Sequence, residues 1–271
     1  LQPRPRNGHK GLFGSVGILG GASAMCGAAL LAGRAALKLG AGRVYVALLA
    51  DAAPAVDMGQ PELMLCSPEK LFQPDHLSCI VAGPGLGQSP QAVQWLKRAL
   101  ETELPLVLDA DALNLLAIRD DLRELAKNRR GGTILTPHPA EAARLLSVAV
   151  HDIQHERIAS AVMLAKRFNS LAVLKGVGSI CATPQGEWFV NPTGNPGMSS
   201  AGMGDALSGM IAALIAQRLT PQSALLLAVY LHGAAADDLV EQGIGPIGLT
   251  ATEVAEAARK LLNRWIYSKS S

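Results

Sequence analysis

The sequence predicts an α/β fold with a mostly parallel sheet, a late antiparallel hairpin and a C-terminal helical block. Three observations predict it. Short β-branched runs alternate with helix-length amphipathic stretches, the pattern of βαβ units. Five loops that follow such runs are rich in Gly or acid, as expected where ligands bind beyond the carboxyl ends of strands. The chain has 271 residues, 49% of them hydrophobic, enough for one sizeable core.

The strand candidates are 16–19, 43–49, 79–82, 106–109, 133–135, 171–175, 179–182 and 188–190. Helices are predicted near 24–39, 90–101, 140–146 and 152–168. The last third reads as helices 204–218, 221–241 and 251–267, with no strand between them. Strands 179–182 and 188–190, joined across Pro184-Gln185-Gly186, read as a hairpin. No repeat of 20–50 residues and no Pro-, Gly- or Ser-rich linker divides the chain, so residues 1–271 are expected to form one domain.

Composition excludes several function classes. Lys+Arg number 24 against 22 Asp+Glu, a formal net charge of +2. That balance argues against a broad basic face for nucleic acid, and the apolar content excludes disorder. The apolar stretches 206–216 and 224–236 are interrupted by Gly, Ser or His and fall short of the ~20 apolar residues of a membrane span. The N-terminus LQPRPRNGHKG has no signal-peptide core; it starts without Met, as a trimmed chain or a domain cut from a longer polypeptide would. Cys26, Cys66, Cys79 and Cys181 lie far apart with no CxxC pair, so reduced thiols in a cytoplasmic protein are expected, with Cys79 and Cys181 in the core. Ten aromatic residues against 28 glycines predict a core of Ala, Leu and Val.

The sharpest motif is NPGMSSAGMGDALSGMIAAL, residues 195–214. Small residues lead into a helix with Asp205 in its first turn. Gly202 and Gly204 let backbone N–H groups turn toward an anion at the positive end of the helix. Asp205 beside such an anion hole can take a proton from a hydroxyl while phosphoryl charge is held nearby. Capping explains the Asp but not the flanking glycines. The helix dipole is expected to lower the pKa of Asp205 and weaken it as a base.

Other motifs leave alternatives open. The chain lacks GxxxxGK[ST] and a strand-to-helix GxGxxG, which disfavours a P-loop and a plain dinucleotide-binding domain. Lys175-Gly176-Val177-Gly178-Ser179 offers amides and a Lys to nucleotide phosphates or ribose, or is a simple glycine turn. In Thr136-Pro137-His138-Pro139-Ala140-Glu141, helix initiation explains Pro139 and Glu141, while His138 is divided between ligand contact and structure. In Asp109-Ala110-Asp111, function is favoured for Asp109 and helix capping for Asp111. His151 and His155 read as a solvated helix face, and His232 as a satisfied core histidine.

The segments GGASAMCGAALLAGRAALKLGAGRVYVAL (20–48), QPELM (60–64), AGPGLG (82–87), LDADALN (108–114), TPHPAEAARLL (136–146), LKGVGS (174–179) and residues 191–214 occur in that order. Together they resemble the ADP- or ATP-dependent NAD(P)H-hydrate dehydratases of the ribokinase-like superfamily, from about Gly8 to Leu262. The resemblance implies a ribokinase-like three-layer α/β/α fold. It also implies a lyase that repairs hydrated NADH or NADPH by phosphorylating the hydroxyl, at the expense of ADP or ATP with Mg²⁺, and eliminating phosphate. By that resemblance Asp205 is the base and touches the hydrate. Lys175, Gly176, Val177, Gly178, Ser179, Asn195, Gly202, Met203 and Gly204 hold the nucleotide; Ala28, Gly85, His138 and Glu141 face the hydrated nicotinamide. No metal ligand is assigned. Ser179 stands where the family usually has Thr, and a hydroxyl is retained. A linked or separate epimerase and a homo-oligomer, a tetramer or larger, are implied as partners, with no nucleic acid and no membrane. The motifs favour ADP as donor. A competing reading is an ATP-dependent vitamin-precursor or sugar kinase of the same fold, with the same Asp205 and anion hole.

Overall fold

The computed structural model describes residues 1–73 and 76–267. Nine strands form one sheet in the order β3-β2-β1-β4-β5-β6-β7-β8-β9. They are β1 Ser15–Gly20, β2 Arg43–Leu48, β3 Met64–Cys66, β4 Cys79–Ala82, β5 Leu106–Leu108, β6 Thr133–Leu135, β7 Leu171–Leu174, β8 Ile180–Ala182 and β9 Trp188–Val190. Neighbours from β3 to β7 run parallel, whereas β8 is antiparallel to both β7 and β9. The hairpin at the end of the sheet is the one expected from the sequence.

The helices in chain order are α1 Cys26–Lys38, α2 Pro68–Leu71, α3 Pro90–Leu100, α4 Ala110–Ile118, α5 Asp120–Lys127 and α6 Pro139–Leu146. There follow α7 Val150–His155, α8 Arg157–Arg167, α9 Met203–Ala216, α10 Pro221–Glu241 and α11 Ala251–Tyr267. Strand residues alternate between two cores because successive side chains point to opposite faces. Val16, Ile18, Val81, Val107 and Val173 join α1, α9, α10 and α11 on one side. Leu19, Ile80, Leu106, Leu108 and Leu174 join α3 to α6 and α8 on the other. Helices on both faces make the three layers.

Alanine dominates the first core, and small side chains let helices approach closely. At Gly209 of α9, a Cβ would come within 2.0 Å of the Ala32 carbonyl oxygen of α1. Only glycine permits that contact. Cys79 and Cys181 are core residues, as expected, and all four cysteines are free thiols.

Several segments differ from the sequence reading. The strand β3 and the helices α2, α4 and α5 occupy segments where no element was drawn. The helix expected over 152–168 is two helices, because Glu156 leaves the helical region at φ −118°, ψ 54°. Helix α10 is long and apolar enough to cross a membrane by length and composition. Just over half of its most apolar window, 56%, is buried inside the fold, as befits a core helix.

One arginine stitches the sheet edge to its loops. Arg129 donates from Nη1 to the carbonyls of Ala99, Leu100 and Thr102, from Nη2 to that of Leu104, and from Nε to Thr133 Oγ1. Its loss strands acceptors that are shielded from water. Arg129→Ala is therefore expected to cost about 3 kcal/mol in urea unfolding; a change below about 0.5 kcal/mol, the range of ordinary surface substitutions, would show the stitch to be idle.

Candidate active site

The chain runs outward from β1 to β3 and then returns, so that β4 lies on the other side of β1. Such a reversal opens a crevice at the carboxyl ends of the strands. Two loops meet there. Gly21 N donates to Pro84 O at 3.0 Å and Ala22 N to Gly85 O at 2.7 Å. The start of α1 closes over them, with Ala28 Cβ 3.3 Å from where a Cβ on Gly85 would lie. Ala28 and Gly85, both expected to face substrate, are thus neighbours.

From this corner the site extends along the sheet through a chain of contacts. Gly87 N donates to Asp111 Oδ2 at 2.8 Å, and Asn114 Nδ2 to Asp111 Oδ1 at 3.3 Å. Asp109, 1% exposed, caps α4 by accepting from Ala110 N at 3.0 Å. The same carboxylate pairs with Lys175 Nζ at 2.9 Å and accepts from Ser208 Oγ of α9 at 2.8 Å. Lys175 N also donates to Pro137 O at 2.9 Å. Its Nζ lies 2.9 Å from where a Cβ on Gly204 would lie, at the first turn of α9. Loops after β1, β4, β5, β6 and β7 therefore converge on the start of α9.

The expected division between the two acids is reversed in part. Asp109 is the cap of α4 as well as the partner of Lys175, and Asp111 caps nothing but holds Gly87 and Asn114. His138 also caps: its Nδ1 accepts from Ala140 N at 3.1 Å and Glu141 N at 3.4 Å. Glu141 Oε2 returns the bond by accepting from His138 N at 2.8 Å. Burial, with Lys175 and Arg144 nearby, holds His138 below its usual pKa. Its neutral ring leaves Nε2 3.4 Å from Glu141 Oε1.

Asn195 lies further along, its side chain engaged. Oδ1 accepts from Gly197 N at 3.0 Å and Nδ2 donates to Asp237 Oδ1 at 3.0 Å. Gly202 is the left-handed cap of α9 at φ +89°, followed by Met203, which is buried. In the loop after β7, Val177 is fully exposed and Ser179 Oγ donates to Gly176 O at 3.0 Å. His151 and His155 are exposed, as expected. His232 departs from expectation: it is buried, its Nε2 has no hydrogen-bond partner, and burial pushes its pKa down to about 4.

Electrostatics overturn the expected weakening of Asp205. Burial pushes its pKa up to about 7, reinforced by Asp109, Glu141 and Asp111 and opposed by Lys175. Desolvation and three carboxylates outweigh the dipole of α9. Burial alone would raise Asp109 as well, but the charge of Lys175 and hydrogen bonds from Lys175, Ser208 and Thr136 hold it below the usual range. Burial pushes Glu141 up. Asp205 is thus a carboxyl poised near neutrality beside an ionised one, fit to accept a proton.

Sequence reasoning missed Ser208; the i, i+3 spacing of Asp205 and Ser208 on α9 was the one available signal for it. Among the described residues no group of three His, Cys, Asp or Glu is placed to hold a metal ion. A cavity of about 700 Å³ between residues 1–5 and α11 touches none of the site residues.

A carboxyl with a raised pKa in the folded chain loses folding stability as pH climbs from its unfolded value toward 7. Asp205→Asn removes that loss. Its Tm should exceed that of the unsubstituted chain at pH 8 by several degrees, and the gap should close near pH 4. A gap independent of pH would contradict the raised pKa.

Comparison with known proteins matches this arrangement to one family. A family model described as NAD(P)H-hydrate dehydratase matches residues 16–260. An ADP-dependent (S)-NAD(P)H-hydrate dehydratase of Neisseria meningitidis is 42% identical over 267 residues, covering 97% of this chain and 90% of the relative. A bifunctional NAD(P)H-hydrate repair enzyme of Coxiella burnetii is 42% identical over 270 residues, 97% of this chain but 53% of the relative. The chain thus spans about half the length of the bifunctional relatives it matches. The crystal structure of the ADP/ATP-dependent NAD(P)H-hydrate dehydratase of Bacillus subtilis, co-crystallized with ATP and Mg²⁺, superposes with a TM-score of 0.85 at 32% identity, covering 98% of this chain and 94% of that one. With its ribokinase-like fold and the five loops gathered at the start of α9, the chain belongs to the NAD(P)H-hydrate dehydratase family.

Proposed function

We propose that the chain is an ADP-dependent (S)-NAD(P)H-hydrate dehydratase, with Asp205 as its base. The observation that carries the assignment of Asp205 is its place: a carboxyl poised near 7 in the first turn of α9, beside amides that can receive a phosphoryl group. The hydrate hydroxyl gives its proton to Asp205 as its oxygen bonds the terminal phosphorus of ADP and AMP departs. The phosphorylated carbon then releases phosphate, a far better leaving group than hydroxide, and loss of a ring proton restores NAD(P)H.

In this reading the glycine loop Lys175–Ser179 and the backbone of Asn195 and Gly202–Gly204 receive the nucleotide. Ala28, Gly85, His138 and Glu141 border the nicotinamide. Lys175 contributes mainly through Asp109, since the two charges cancel one another. Mg²⁺ finds no cage of side chains here and would arrive on the nucleotide phosphates, supplying charge neutralisation there. The proposal extends to one domain over residues 1–271, a linked or separate epimerase, a homo-oligomer, and a cytoplasmic setting in keeping with the four free thiols.

The test is recovery of reduced-nicotinamide absorbance from hydrated NADH with Mg²⁺ and either ADP or ATP. Recovery with release of free phosphate is expected, faster with ADP. A stable phosphorylated product of another acceptor, without recovery, would make the chain a small-molecule kinase instead.

Two further outcomes test the base. Asp205→Asn should lower turnover by about 10²-fold or more while ADP still binds. In the unsubstituted enzyme kcat/KM should rise with pH through about 7, because only the ionised carboxylate accepts the proton. A profile flat from pH 5.5 to 8.5 would remove Asp205 from that role.

A further inference from the structure

One cation stands against the loop Lys175–Ser179 with no carboxylate to neutralise it. Arg157 opens α8 immediately after the break at Glu156. Its Nη2 donates to the carbonyl of Leu174 at 3.4 Å and to that of Gly178 at 3.3 Å. These carbonyls bracket the loop, one before Lys175 and one next to its last residue. The guanidinium also fills the space beside Gly176, where a Cβ would lie 2.9 Å from Nη1 and 3.1 Å from Nη2. Gly176 itself sits at φ +140°, a conformation that favours glycine.

The charge balance of the loop makes this contact consequential. Lys175 is the cation that the motif offers, yet its Nζ is 20% exposed at the side-chain level and held by Asp109 at 2.9 Å. Its charge is cancelled before any ligand arrives. Among the described residues Arg157 has no carboxylate within ion-pair distance. A guanidinium carries five donors in a rigid fork, and two long bonds to carbonyls leave most of them unspent.

We propose that Arg157 is a positioning residue for the nucleotide: it clasps both ends of the loop Lys175–Ser179, fixes the loop's amides toward the donor phosphates, and keeps an uncancelled positive charge beside them. The inference rests on the reading that this loop receives the nucleotide. A loop already fixed loses less freedom on binding, and a partly desolvated positive charge attracts phosphate more strongly than one in water. A lysine at 157 would keep the charge but lose the planar five-donor fork that also lies beside Gly176.

The experiment compares Arg157→Met and Arg157→Lys with the unsubstituted chain. ADP affinity is measured by calorimetry, KM separately for ADP and for hydrated NADH, and Tm for each protein. The Met variant is expected to weaken ADP binding about tenfold or more, the scale of a lost hydrogen bond to a charged group. The Lys variant should fall between. KM for the hydrate should move much less than KM for ADP, and in a third variant, Arg157→Ala, added methylguanidinium should partly restore ADP affinity.

Unchanged ADP affinity in the Met variant would overturn the proposal, as would an equal rise in both KM values, the mark of a merely structural role. If the Met variant does not fold, the Lys variant decides, and wild-type ADP affinity there overturns the proposal too. An unsubstituted chain that binds ADP but restores no NADH would sink the dehydratase reading alone, since calorimetry still decides the role of Arg157. One that binds no ADP would sink both.

Discussion

The site depends on a single buried ion pair. Asp109 and Lys175 lie 66 residues apart in sequence and 2.9 Å apart in space, at the carboxyl ends of β5 and β7. Charges shielded from water are tolerated only when paired and hydrogen-bonded. Asp109 meets that condition through Lys175, Ser208 and Ala110 N. The requirement couples three elements: α4, the loop after β7 and the first turns of α9 cannot move independently without leaving a charge unpaired. The first turn of α9 with Asp205 and the loop Lys175–Ser179 are thereby held in one frame.

The same pair sets the chemistry of its neighbours. Burial and the neighbouring carboxylates of Asp109, Glu141 and Asp111, opposed by the one ammonium of Lys175, push Asp205 up to about 7. A carboxyl that titrates near neutrality thus arises from burial and crowding rather than from any special bond to Asp205. Crowding has a second consequence. The charge of Lys175 is already met by Asp109, so under the proposed function the attraction for a polyanionic nucleotide falls to the start of α9, to backbone amides and to Arg157.

Most of the sheet was legible because its inner strands are buried on both faces and read as short apolar runs, while the exposed β9 was legible from the turn before it. Every strand of three or more such residues between β-turn signals emerged, except β3, where Met64–Cys66 is a short edge strand with partly exposed residues. Helix α4 escaped for the opposite reason. It buries Ala112, Leu113, Leu115 and Leu116, so no amphipathic stripe marks it. The break at Glu156 left no trace, since Glu is a good helix former. The motifs around Asp205, His138 and Lys175 did mark the site, but local sequence could not assign roles within it. Asp109 and Asp111 are both acids at a helix start; only Lys175, far away in the chain, distinguishes them. The pKa of Asp205 was misjudged because its own helix was weighed without its burial and without the carboxylates of Asp109, Glu141 and Asp111.

Capping and chemistry were set against each other as alternative readings of these residues, and the structure dissolves the opposition. Asp109 caps α4, His138 caps α6, Asn195 caps the turn Pro196–Met198, and Gly202 caps α9. In a parallel α/β sheet the strands end on the edge where the following helices begin. Every helix there presents unsatisfied N–H groups to the crevice. A residue that satisfies some of them is automatically at the ligand's edge, and one that leaves them free, as glycine does at 202, turns them over to an anion. Asp109 shows that one carboxylate can do both, closing a helix with one oxygen while the other fixes Ser208 in the helix that carries the base. The fold therefore supplies caps and site residues from the same positions, and a polar cap at this edge is a reason to look for ligand contact rather than a reason to dismiss it.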